Sequence, residues 1–201
     1  MSTPKTYWIE KPGQILLLAS AMRQEILDSV SALGSCSIAE LAQELGVAAD
    51  ALYYHVRKLV ESGLLIEQGA RVTSRRDEIV YTLPGQYMNL KYQPENAENV
   101  GAINKVISAM MRMAERDFRN GFTPDLAVID DGIRNLWGAR QKAWLTEEDL
   151  KEVNQLLERL QEIFHQSKQP GDRKLYTLTW VIAPKKAQAK RRETRSGKDK
   201  G

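Results

Sequence analysis

Apolar positions along the chain change period several times, and each change marks an element. Between residues 13 and 33, Leu16, Leu17, Ile26, Leu27 and Val30 recur at helical spacing, with a break expected near Ser20. From 37 to 63 the pattern predicts two short helices joined by a tight turn. Ala39, Leu41, Ala42 and Leu45 stripe the first, and Ser37 is placed to N-cap it, with Glu40 three residues on completing a capping box. Gly46 supplies the turn, because a residue without Cβ accepts a positive φ. The second helix begins near Ala48 and carries Leu52, Val56, Leu59 and Val60 on its apolar side. A short run Leu64, Leu65, Ile66, a polar stretch 68–77 and a β-rich run 79–83 ending at Pro84 and Gly85 then predict a β-hairpin. A helix, a glycine turn, a second amphipathic helix and a hairpin make a winged helix-turn-helix, whose second helix enters the DNA major groove.

The remainder is organised differently. Residues 1–12 read as an N-terminal arm carrying Tyr7, Trp8 and Ile9, and 85–96 as a connector. Val100, Ile103, Val106, Ile107, Met110, Met111, Ala114 and Phe118 predict a long helix, stopped at Asn120 and Gly121. Residues 133–145 are expected to contain a strand. Thr146 is placed to cap a second long helix with Glu147, Glu148 and Asp149 in its first turn, where acids suit the dipole. Leu150, Val153, Leu157, Leu160 and Phe164 stripe that helix in a heptad-like rhythm. Alternation over 175–183, with Tyr176, Leu178, Trp180 and Ile182 on one face, predicts another strand, which Pro184 ends.

The fold class that follows is α+β and mostly helical. Four segments are expected: an arm (1–12), a winged helix-turn-helix (13–85), a dimerisation and effector region with two long helices and a small sheet (86–184), and a disordered basic tail (185–201).

Composition narrows the function. The net charge of +3 hides an asymmetry: residues 185–201 hold eight basic and two acidic residues, a net +6, so residues 1–184 carry −3. Affinity for nucleic acid must then come from a local patch and the tail. The tail should supply counterion-release affinity. No apolar run approaches the roughly 20 residues of a membrane span, and none has the layout of a signal peptide. One cysteine excludes an intramolecular disulfide and fits a reducing cytoplasm. One cysteine and two scattered histidines cannot build a soft metal site, so metal sensing is not expected. No nucleophile–histidine–acid pattern, glycine-rich phosphate loop or HExxH motif occurs, and neither an enzyme nor a cofactor is expected.

Several runs together resemble the ArsR-like transcriptional regulators: Arg23 to Leu27 (RQEIL), Ile38 to Ala42 (IAELA), Tyr54 to Leu59 (YHVRKL), Ser62 to Leu64 (SGL) and Val80 to Leu83 (VYTL). The resemblance is strong from Met22 to Leu83 and weaker beyond, where Leu145 to Leu150 (LTEEDL) is similar to a helix start in longer members. It implies a homodimer on a palindromic operator, often released when an effector binds.

The residues expected at double-stranded DNA are Ser37, Ala49, Asp50, Tyr53, Tyr54, Arg57 and Lys58 around the second helix, and Arg71, Arg75 and Arg76 in the wing. Ala49, Asp50, Tyr53 and Tyr54 are best placed for base edges, Arg57 and Lys58 for phosphates. Asp50 either accepts from a cytosine amino group or caps the helix. Basic wing tips touch backbone or reach a minor groove. His55 adjoins the apolar stripe and reads as a packed structural histidine, and Cys36 as a small hydrophobe. The expected dimer seam is Val100, Ile103, Ile107, Met110, Met111, Ala114 and Phe118. The candidate pocket for a small apolar effector lies among Trp137, Trp144 and Trp180, although core packing is the commoner use of tryptophan. The rival function is a winged helix used for protein–protein contact, which the slightly acidic body allows.

Overall fold

The computed structural model describes residues 6–72, 77–130, 132–166 and 174–185. Arg75, Arg76 and the tail beyond Lys185 lie outside the described residues.

The segment expected as an arm holds strand β1 (Thr6–Ile9), followed by helices α1 (Pro12–Leu17) and α2 (Ala21–Leu33). The break expected near Ser20 is present, and Ser20 is the residue preceding α2. Next come β2 (Cys36–Ser37), α3 (Ile38–Leu45), α4 (Ala49–Glu61), β3 (Ile66–Val72) and β4 (Asp77–Thr82). The chain closes with β5 (Tyr87–Leu90), α5 (Ala97–Gly121) and α6 (Glu147–Gln166).

The turn between α3 and α4 forms as its sequence requires. Ser37 Oγ accepts from the Glu40 N–H at 3.3 Å, while Ser37 N–H donates to Glu40 Oε2 at 2.7 Å. Gly46 ends α3 with φ 64°, and Val47 N–H bonds back to the Ala42 carbonyl at 3.1 Å. β3 and β4 form the antiparallel wing, with a bulge between Glu67 and Gly69, and β2 pairs with the other edge of β4. β3 is longer than the apolar run implies, because its outer residues are polar and exposed on an edge strand.

A second, two-stranded sheet pairs β1 with β5 in parallel, Thr6 against Tyr87 through Ile9 against Leu90. Gly85 makes this approach feasible: a Cβ there would lie 2.7 Å from the Tyr7 Cβ. Gln14 Nε2 donates to the Ser62 carbonyl at 2.6 Å, tying α1 to the end of α4. Asn99, fully buried near the start of α5, accepts from Gln93 N–H at 2.9 Å and donates to the Lys91 carbonyl at 3.0 Å. Both halves of its amide are satisfied, which is what makes burying it affordable.

One core runs through these elements. Ile15, Ile26, Leu41, Leu52, Leu59 and Leu64 are fully buried in it, and Ala102, Ile103 and Val106 of α5 belong to the same cluster. The expected boundary at 85/86 therefore crosses a shared core. The α5 face that packs inward carries Asn99, Ala102, Ile103, Val106, Ala109 and Met113, rotated from the face the large side chains suggested. Ile103, expected at a dimer seam, is instead buried in the core of its own chain, on the helix that packs against α1. Ile107 and Met110 also pack partly on this core, Ala114 is half-buried, and Val100, Met111 and Phe118 remain exposed.

The strands expected at 133–145 and 175–183 are not formed. Both stretches are without regular secondary structure or ladder partners among the described residues, so alternation alone did not make a sheet. Helix α6 forms with the expected Thr146 cap, whose hydroxyl accepts from Asp149 N–H at 3.1 Å, yet none of its residues is buried. Its far end meets β5, where the His165 and Tyr87 rings pack edge to face at 4.3 Å. Among the described residues no helix is long and apolar enough to cross a membrane.

Candidate nucleic-acid interface

Helix α4 buries Leu52, Val56 and Leu59 and turns the opposite side outward. Asp50, Tyr53, Tyr54 and Arg57 share that exposed side, the two tyrosines at 50% and 54% exposure. Large aromatic side chains held this far out on a well-packed helix are positioned for contact rather than for the core. Ala49, at the helix start, is partly buried against the core.

The basic residues are less free than their spacing suggests. Lys58 Nζ lies 2.8 Å from Glu61 Oε2, and Arg57 Nε lies 3.9 Å from Glu61 Oε1. Both pairs are exposed, so they restrain these side chains only weakly. Arg71 is more firmly engaged. Its Nη1 donates to Glu40 Oε1 at 2.7 Å and its Nη2 to the Ser35 carbonyl at 3.4 Å, joining β3 to the start of α3. Burial alone would raise the Glu40 carboxyl, but the Ser37 N–H and the Arg71 guanidinium outweigh it and hold the group below its usual value. Ser37 is buried with its hydroxyl committed to the cap, and so does not stand on the exposed side of α4.

Between α4 and the wing lies a cleft of about 180 Å³ lined by Ser37, Ala49, Tyr53, Asp77, Ile79 and Tyr81 among others. It separates the α4 surface from the hairpin and places acidic wing residues beside Tyr53. Trp137, Trp144 and Trp180 line no part of it. They are exposed, Trp144 at 89%, and Trp137 donates from Nε1 to the Arg134 carbonyl at 3.2 Å. Cys36 is buried and its thiol is pushed up to about 12 by burial and then by Glu40, consistent with the packed reading. Among the described residues no group of three or more His, Cys, Asp or Glu side chains is placed to hold a metal ion.

Two atoms went unnoticed in the sequence. Arg23 Nε and His55 Nδ1 are buried without a hydrogen-bond partner among the described residues. Only the folded structure, which packs α2 on α4, brings this pair to light.

A helix-turn-helix domain family matches residues 18–68, the stretch from the end of α1 to the first residues of the wing. The chain therefore contains a helix-turn-helix, and the hairpin after it makes the unit winged. The sequence matches no curated protein. Solved structures that share some of its shape include the reduced form of MarR from E. coli, 13% identical over 74% of this chain and 88% of that one, with a TM-score of 0.30. A MarR mutant from the same organism, crystallised with operator DNA, is 12% identical over 74% of this chain and 85% of that one, with a TM-score of 0.28. A zinc-responsive MarR family member from Lactococcus lactis, ZitR, is 16% identical over 72% of this chain and 75% of that one, with a TM-score of 0.29.

Proposed function

We propose that this protein is a sequence-specific, DNA-binding transcriptional regulator of the ArsR-like kind, working as a homodimer on a palindromic operator. The observation that carries the reading is the outward side of α4, where Tyr53, Tyr54, Asp50 and Arg57 stand exposed beside a wing. In this reading the tyrosines and Asp50 address base edges, while Arg57 and Lys58 exchange Glu61 for phosphate. Arg71 acts chiefly by fixing the wing to α3, and Arg75 and Arg76 are the wing cations assigned to DNA contact, at the backbone or in a minor groove.

The dimer part of the proposal rests on apolar surface that one chain leaves uncovered. Leu150, Leu156, Leu160, Ile163 and Phe164 of α6 are exposed, as are Val100, Met111 and Phe118 on one side of α5. A second copy would bury them, and any apolar effector would sit between copies, because Trp137, Trp144 and Trp180 are exposed in one chain. Genomic footprinting with the purified full chain tests the function. Protected, pseudo-palindromic sites are expected, with half-sites about one helical turn apart. A protein that retards no genomic fragment would favour the protein–protein reading.

A further inference from the structure

Arg23 and His55 carry an inference that rests on the DNA-binding reading and deepens it. Arg23 stands in the first turn of α2, which has no acidic residue. A cation there faces the positive end of the helix dipole. It has no ion pair among the described residues, and its Nε is buried and unpartnered. His55 lies on α4 next to Tyr54, their rings edge to face with centroids 5.4 Å apart. Its Nδ1 is likewise buried and unpartnered.

Buried nitrogens in native proteins nearly always have a partner, and an orphan calls for an explanation. Two of them on facing helices, one in a permanent cation and one in a group able to become a second cation, call for the same one. The missing partner is an anion with several acceptor oxygens. Burial, then the Arg23 charge, pushes the His55 imidazole down, so without an anion this ring is held toward its neutral form. An arriving anion offsets the Arg23 charge and removes that opposition. The place of the pair selects the anion. His55 shares the helix that presents Asp50, Tyr53, Tyr54 and Arg57, and it borders their exposed side along the flank facing α2.

We propose that Arg23 and His55 form a seat for one backbone phosphate of the bound duplex, on the α2 side of the recognition helix. A phosphate held at a fixed point sets the depth and register of the tyrosines, without itself reading sequence.

The test is a fluorescence anisotropy titration of the full chain with a labelled mixed-sequence DNA duplex across a salt series. Arg23→Gln should weaken binding about 3- to 10-fold and lower the slope of log K against log salt by about 0.9, the value for one phosphate contact. Arg23→Lys should retain most of the slope, and Lys105→Gln, a charge removed from the α5 surface, should leave affinity and slope near wild type. A thermal melt checks that each variant folds. The His55 ring resonances of the wild-type protein give a second reading that needs no variant: they should shift when duplex is added. Wild-type binding unchanged in Arg23→Gln, in both affinity and slope, would overturn the seat while leaving the DNA reading intact. Ring resonances that respond to inorganic phosphate but not to duplex would also overturn it, by assigning the site to free phosphate. Failure of the wild-type protein to bind any duplex would sink the DNA reading and the seat together.

Discussion

Arg71 in the wing and Glu40 in the first helix of the helix-turn-helix meet at 2.7 Å, so one carboxylate serves two elements. Glu40 closes the capping box of α3 with one oxygen and holds the wing strand with the other. Glu40→Gln should destabilise the protein by up to about 1 kcal/mol at neutral pH, through loss of the exposed Arg71 pair discounted for solvent screening, because Gln can still close the capping box. Because the folded-state value of Glu40 lies below its ordinary 4.5, this stability is present above 4.5 and lost as the pH falls through the folded value. Urea melts of wild type and variant should differ at pH 7 and converge in acid. A gap that does not narrow as the pH falls would mean the carboxylate is not its source.

Tyr54 should matter for which DNA is bound more than for whether DNA is bound. Tyr54→Ala is expected to cost roughly 1–3 kcal/mol on a footprinted site and much less on mixed-sequence duplex. Equal losses on both would move Tyr54 to a backbone role.

Cys36 should be chemically silent in the native state. It is buried, with its thiol pushed up to about 12, so almost no thiolate exists at pH 8. Iodoacetamide should label it only after unfolding in denaturant. Rapid labelling of folded protein would place Cys36 at an accessible site.

Helix α6 should be needed for assembly but hardly for the fold of one chain. Leu157→Glu combined with Leu160→Glu should convert a dimer to a monomer in sedimentation velocity and weaken operator binding, since two linked half-sites bind far better than one. The far-UV spectrum and the melt of the helix-turn-helix should change little, because no residue of α6 is fully buried within its own chain. A wild-type protein that is monomeric at micromolar concentration would sink the dimer reading.

The parts of this fold that were legible in the sequence are those whose causes are local. Ser37 and Glu40 announce a capping box across three residues, Gly46 a left-handed turn in one, and Leu52, Val56 and Leu59 a helix face within two turns. What was missed depends on partners far along the chain. β1 and β5 are four residues each, too short to show a period, and they find one another across the entire helix-turn-helix. The packed face of α5 carries the small Ala102 and Ala109 beside Ile103, Val106 and Met113, so side-chain bulk alone does not mark it. At 175–183 the alternation is real, but a strand needs a neighbour, and no described residue supplies one. The exposure of Tyr53 and Tyr54 could be read from helix phase alone. The diversion of Arg71 to Glu40 could not, nor could the orphan nitrogens of Arg23 and His55, which require two helices to be set side by side.

The buried Asn99 has a mechanical meaning as well as an energetic one. By holding both the Lys91 carbonyl and the Gln93 N–H, it clamps the root of α5 to the strand that closes the small sheet. A helix of 25 residues is about 37 Å long, so a tilt of about 10° at the root carries the far end roughly 6 Å. Ala102, Ile103 and Val106 share the core with α1 and α4, so the hold that begins at Asn99 extends over the first turns of α5 and fixes the direction in which the rest of the helix leaves the domain.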